Sequence, residues 1–186
     1  MVFPITEKLQ DLRNEEDEKI EKEGQHEIDP SVIFIKQTIP NACGTIALLH
    51  ALANSDATIA PTSPLAKFIE EIALLDPHAR AEALENTKLF AEAHVDAASL
   101  GQSAVPSSDD DSDLHFVAFV QVPSAVTPSE RRLVELDGRR RSPIDLGKSE
   151  DLLKDVAQVV RQKYIAHSTS HSFGLISLGP NPDFNP

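Results

Sequence analysis

The sequence predicts an α+β fold from two kinds of pattern. Two runs of strand length, residues 32–35 (V-I-F-I) and 114–122 (L-H-F-V-A-F-V-Q-V), are dense in β-branched and aromatic side chains. Elsewhere apolar residues return at helical spacing, as in Leu65, Phe68, Ile69, Ile72 and Leu75. A chain of 186 residues is long enough for one domain with a substantial core and too short for two large ones.

Taken in order, residues 1–6 (M-V-F-P-I-T) read as a strand end, with Pro4 marking an edge. Residues 6–24 carry charge at a density expected of a helix solvated over most of its surface, stopped by Gly24 and carrying no chemistry. The run 32–35 is expected to be a short strand delivering Gln37 to the next helix. That helix has Asn41 as N-cap, and from Ile46 to Ala53 it is apolar on nearly every side except at His50, as suits a buried helix. Ser63-Pro64 and Asp76-Pro77 are start signals for two further helices, the second running to about Phe90. Residues 94–113 have no sustained periodicity and end in S-S-D-D-D-S-D, which reads as a functional lid or an irregular acidic linker. The run 114–122 and residues 132–138 (R-L-V-E-L-D-G) are expected to form an antiparallel hairpin about a loop at 123–129. Ser149 is expected to cap a helix bearing Leu152, Leu153, Val156, Val159 and Val160, and residues 172–178 (S-F-G-L-I-S-L) read as a last strand.

The totals exclude several classes of function. A net charge of −13 disfavours nucleic acid and favours a basic protein or peptide as partner. The single cysteine rules out an internal disulfide framework and a cysteine-based zinc site, and it fits a reducing compartment. No apolar run approaches the length of a membrane span. There is no glycine-rich phosphate loop, and Arg139–Arg141 reads as a solvated turn against so acidic a total.

The one cysteine, Cys43, falls at a helix start, where unpartnered N–H groups and the helix dipole favour a thiolate. Gln37, six residues earlier, could donate its side-chain amide to a developing oxyanion beside the Cys43 N–H. Of the seven histidines, His115 alone combines a rigid strand with an incoming carboxylate. A hairpin whose facing positions add to 252 sets His115 across from Asp137, which would fix the imidazole tautomer and stabilise its cation. His50 shares the helix but lies about 10 Å along the axis from Cys43, and so reads as a core histidine. His167 and His171 have metal-like spacing without a third ligand. The constellation is therefore Gln37, Cys43, His115 and Asp137, in an order suited to attack by sulfur on a carbonyl.

At these residues the sequence resembles the ubiquitin carboxyl-terminal hydrolase family of cysteine peptidases. The matching pieces are Q-T-I-P-N-A-C-G-T at 37–45, D-L-H-F-V-A-F-V at 113–120, E-L-D-G-R at 135–139, F-P-I-T-E-K at 3–8 and L-E-N at 84–86. The resemblance implies a papain-like fold, a central antiparallel-rich sheet flanked by helices and threaded as a knot. It assigns Gln37 as oxyanion donor, Cys43 as nucleophile, His115 as general base and Asp137 as its orienting partner, with no cofactor and no metal. It makes residues 94–113 a crossover loop that limits the leaving group, within one domain over 1–186. The implied partner is ubiquitin or a ubiquitin-like modifier, and neither nucleic acid nor membrane. The implied protein is a monomer in the cytoplasm or nucleus. The family carries a further segment before F-P-I-T, so this sequence is expected to be an N-terminally truncated form. The alternative expectation is an inactive relative that only binds the modifier.

Overall fold

The computed structural model describes residues 1–87 and 113–179. Among them are five α-helices and two antiparallel sheets. Helix α1 spans Glu7–Glu23; the Thr6 hydroxyl accepts the Leu9 N–H, and Gly24, at φ 79°, closes the helix with its own N–H on the Ile20 carbonyl. Helix α2 spans Cys43–Ala53. Its cap position is held by Ala42 without a side-chain bond, and not by Asn41. Asn41 instead turns the chain ahead of the helix at φ 56°, a left-handed conformation that asparagine tolerates better than most residues. Leu48 projects outward from α2, so the helix is buried on most sides rather than all. Helices α3 (Pro64–Ile72) and α4 (Pro77–Asn86) start as expected, with Ser63 and Asp76 accepting first-turn N–H groups. Helix α4 stops at Asn86, and the expected end at Phe90 lies outside the described residues, as do residues 94–112.

Strand β1 (Val2–Pro4) pairs with β2 (Leu114–Phe116), setting Phe3 opposite His115. Strands β3 (Ala118–Pro123), β4 (Arg131–Leu136) and β5 (Ile144–Lys148) make the second sheet in chain order. The single strand expected over 114–122 is thus two strands in two sheets, parted at Val117, which is fully buried and donates its N–H to the Met1 carbonyl. The hairpin pairs Ala118 with Leu136 and Val122 with Arg132, so facing positions add to 254 and not 252. That slip of two residues keeps every side chain on its expected face. Strand β5 was not foreseen; its irregular pairing with β4 coincides with Gly147 at φ 105°, a conformation that favours glycine at a bulge.

The run 32–35 is extended and buried, yet among the described residues it joins no ladder. Ile33 and Ile35 face the cluster built by α2, α3 and α4, whereas Val32 and Phe34 face β3 and β4. Both sides being occupied, its backbone is satisfied by side chains. Asn54 bonds both polar groups of Ile33, His50 Nε2 accepts the Ile35 N–H at 2.8 Å, and Arg80 donates to the Phe34 carbonyl at 3.2 Å. The expected last strand is likewise reduced, to one bridge between Val2 and Gly174. Helix α5 (Leu152–Val159) is capped by Asp151 rather than Ser149, whose hydroxyl donates to Asp155. A single π-helical turn, Val160–Tyr164, follows and buries Tyr164 against Phe3.

Candidate active site

Cys43 is the first residue of α2, so its N–H belongs to the unpartnered first turn. The N-terminus of α2 lies against β2, and the Phe116 ring is close enough to touch a Cβ built at Gly44. Cys43 as a whole is buried. Burial pushes the Cys43 thiol pKa up, but the His115 imidazole, the Phe116 N–H and the charge of Arg139 together hold it below its ordinary value.

His115 comes from β2 and is 2% exposed. Its Nε2 lies 2.8 Å from Asp137 Oδ1. An ionised carboxylate can only accept, so Nε2 carries the proton and Nδ1 is the basic nitrogen. Nδ1 is buried and holds no well-formed hydrogen bond, although the thiol is near enough to perturb the ring. Burial lowers the His115 pKa, while Asp137 and then Cys43 more than reverse that, so it lies above its ordinary value. Thiol lowered and imidazole raised is the combination that favours a thiolate–imidazolium pair.

Asp137 follows β4 directly. Its Oδ1 also accepts the Arg139 N–H at 2.9 Å, and its Oδ2 is paired with the Arg13 guanidinium. Burial alone would raise this carboxyl, but His115, Arg13 and the Arg139 N–H hold it below the usual carboxylate range. The next residue, Gly138, fixes where Gln37 sits. The Gln37 N–H donates to the Gly138 carbonyl at 2.9 Å, and a Cβ at 138 would come within 2.8 Å of the Gln37 nitrogen. Only glycine permits that approach.

The structure therefore gathers three of the four expected residues, Cys43, His115 and Asp137. It brings Gln37 to the loop beside Asp137 but turns its amide to the Ile39 carbonyl at 3.2 Å, and among the described residues no hydrogen bond joins it to Cys43. The Gln37 Oε1 is buried without a partner. The route from His115 to Asp137 also differs from the expected one. They are not facing residues of one ladder; β2 pairs with β1, and the carboxylate reaches the imidazole from just beyond the end of the other sheet.

Two arginines were missed. Arg13 comes from the helix read as free of chemistry, and Arg140 from the turn read as solvated. Arg140 is 3% exposed and sits among Glu16, Asp17 and Glu135. The available signal was spacing. Leu9, Leu12, Arg13, Glu16, Asp17 and Ile20 recur at three and four residues, and it is this face of α1 that is covered. His50 is the core histidine expected, stacked on Phe34 with ring centroids 5.4 Å apart. Among the described residues no group of three ligand-type side chains could hold a metal, and no helix is long and apolar enough to cross a membrane.

Comparison with known proteins points the same way as the geometry. The family model of ubiquitin carboxyl-terminal hydrolases, family 1, matches residues 1–166. The chain is 38% identical over 181 residues to Arabidopsis thaliana ubiquitin carboxyl-terminal hydrolase 3, covering 95% of this chain and 72% of that protein. It is 37% identical over 166 residues to human ubiquitin carboxyl-terminal hydrolase isozyme L1, covering 87% and 69%. The fold resembles the crystal structure of the Trichinella spiralis UCH37 catalytic domain bound to ubiquitin vinyl methyl ester. That match has a TM-score of 0.60 at 25% identity, covering 91% of this chain and 70% of that one.

Proposed function

The chain belongs to family 1 of the ubiquitin carboxyl-terminal hydrolases, a papain-like α+β fold, and from that premise we propose how its own residues perform thiol-dependent cleavage at the C-terminal glycine of ubiquitin. His115 Nδ1 takes the proton from Cys43, and the thiolate attacks the glycine carbonyl carbon. The resulting oxyanion is met by the first N–H groups of α2 and by the Gln37 amide once it leaves the Ile39 carbonyl. Collapse expels the leaving group, an amine or small adduct, which takes the proton from His115 and leaves a thioester on sulfur. Water, deprotonated by His115, then attacks the thioester and releases the ubiquitin carboxylate and the thiolate. Asp137 holds the imidazole tautomer and its charge throughout.

The observation that carries this reading is the 2.8 Å bond between His115 and Asp137, with Cys43 lowered and His115 raised on either side of one proton. The inactive, binding-only reading is not favoured, because it gives those two shifts no purpose. The proposed substrate is ubiquitin, with a ubiquitin-like modifier as the competing choice. The proposed unit is one monomeric domain over 1–186, working in the cytoplasm or nucleus without cofactor, nucleic acid or membrane. Incubation with ubiquitin vinyl methyl ester tests it. One covalent adduct, absent from Cys43→Ala, supports the reading; binding without an adduct would overturn it.

A further inference from the structure

We infer that Arg13 is a positioning residue for the reaction, clamping the Asp137 carboxylate through its second oxygen so that the first stays aimed at His115. This rests on the roles proposed above for His115 and Asp137. A carboxylate in a buried site can rotate about its last bond, and only partners on both oxygens fix it. Asp137 Oδ1 is engaged by the His115 Nε2–H at 2.8 Å and the Arg139 N–H at 2.9 Å. The side-chain partner at Oδ2 is Arg13, which arrives from α1, 124 residues away in sequence.

Arg13 is itself held on three sides. Its Nη1 donates to the Tyr164 hydroxyl at 3.0 Å and lies 3.3 Å from Glu135 Oε1, and its guanidinium carbon stands 5.3 Å over the Phe3 ring. Phe3 in turn meets the His115 ring edge-on at 5.6 Å. One aromatic ring therefore sets the spacing of the guanidinium and the imidazole, and the carboxylate closes the triangle between them. Charge neutralisation alone does not explain the arrangement. Arg140 already lies beside Glu135, and among the described residues its guanidinium forms no ion pair with Asp137, whereas Arg13 spans both carboxylates. A planar fork meets two carboxylates and a hydroxyl from separate nitrogens held in one plane, a spread that the single ammonium of lysine does not offer.

The test is a double-mutant cycle between Arg13→Met and Asp137→Asn, read as kcat and KM on a fluorogenic amide of the ubiquitin C-terminus. In the presence of Asp137, Arg13→Met is expected to lower kcat by about 10–100-fold with little change in KM. In the Asp137→Asn background the same change is expected to cost almost nothing further, because the clamp has nothing left to hold. The downfield Nε2–H proton resonance of His115 should be lost in Arg13→Met and kept in the wild type. Arg13→Lys, which keeps the charge without the fork, should fall between the two in kcat. Equal losses of kcat in both backgrounds, or a wild-type kcat with the resonance retained, would overturn the inference. Where the Met variant does not fold, Arg13→Lys is carried through the same cycle, and equal losses in both backgrounds again overturn it. Failure of the wild type to form the covalent adduct would instead strike the proposed function, so the two failures are distinguishable.

Discussion

His50 and His115 are both enclosed, at 0% and 2% exposure, and each uses Nε2 to meet a partner at 2.8 Å. Burial lowers the pKa of both, yet their net shifts run in opposite directions. At His50 the partner is the Ile35 N–H, a donor, so Nε2 must be an unprotonated acceptor. The Leu136 carbonyl lies near Nδ1 without forming a well-aligned bond. Burial dominates there and lowers the pKa to about 4. At His115 the partner is the carboxylate of the very next residue, Asp137, and the balance reverses. Successive residues at the end of β4 thus serve two rings, with Leu136 toward the structural one and Asp137 toward the chemical one. Enclosure does not decide whether an imidazole holds a charge; the identity of one neighbour does.

Several changes break or sharpen that contrast. The largest effect should come from His115→Ala, which is expected to lower kcat by about 10³–10⁴-fold with the far-UV circular dichroism unchanged. Acid titration should separate the two rings next. The folded-state value of His50 lies below its unfolded value, so its contribution to stability is present above about pH 6.5 and is lost as the pH falls toward 4. That loss amounts to about 3 kcal/mol. His115, raised in the folded state, contributes with the opposite slope, losing its stabilisation as the pH rises through its folded value. Urea unfolding from pH 7 to pH 4 of the wild type and His50→Leu checks this, with the shallower slope expected in the variant. Asp137→Asn removes the main group that raises His115, so kcat should drop by about 10–100-fold. The basic limb of the kcat/KM profile should also move to lower pH. The smallest effect should be that of His50→Leu at pH 7. Per folded molecule its kcat should match the wild type, while the orphaned Ile35 N–H lowers stability by about 1–3 kcal/mol, measured by thermal melting.

The sequence held more of the chemistry than of the path to it. Cys43, His115 and Asp137 are legible because each stands within a residue or two of the end of a run with a strong local signal. The hairpin register was two residues out because the run 114–122 looks continuous, and nothing local marks Val117 as the point where pairing changes sheet. The error was harmless to the site because two residues preserve face. The run 32–35 reads as a short strand, and nothing local shows that it pairs with side chains instead of a ladder. Its partners are His50, Asn54 and Arg80, and a side chain's choice of a distant carbonyl leaves no trace in local pattern. Arg13 and Arg140 were hidden differently. Their charges were counted toward a solvated surface, although the three- and four-residue spacing of the covered face of α1 was there to be read.

Arg140 and Asp17 lie 123 residues apart, and Arg13 and Asp137 lie 124 apart. During synthesis α1 therefore leaves the ribosome long before the segment it will grip, at about 5–20 residues per second. The groups that lower the Cys43 thiol, His115, the Phe116 N–H and Arg139, are likewise made at least 72 residues after it, so its perturbed environment exists only once that later stretch has folded back.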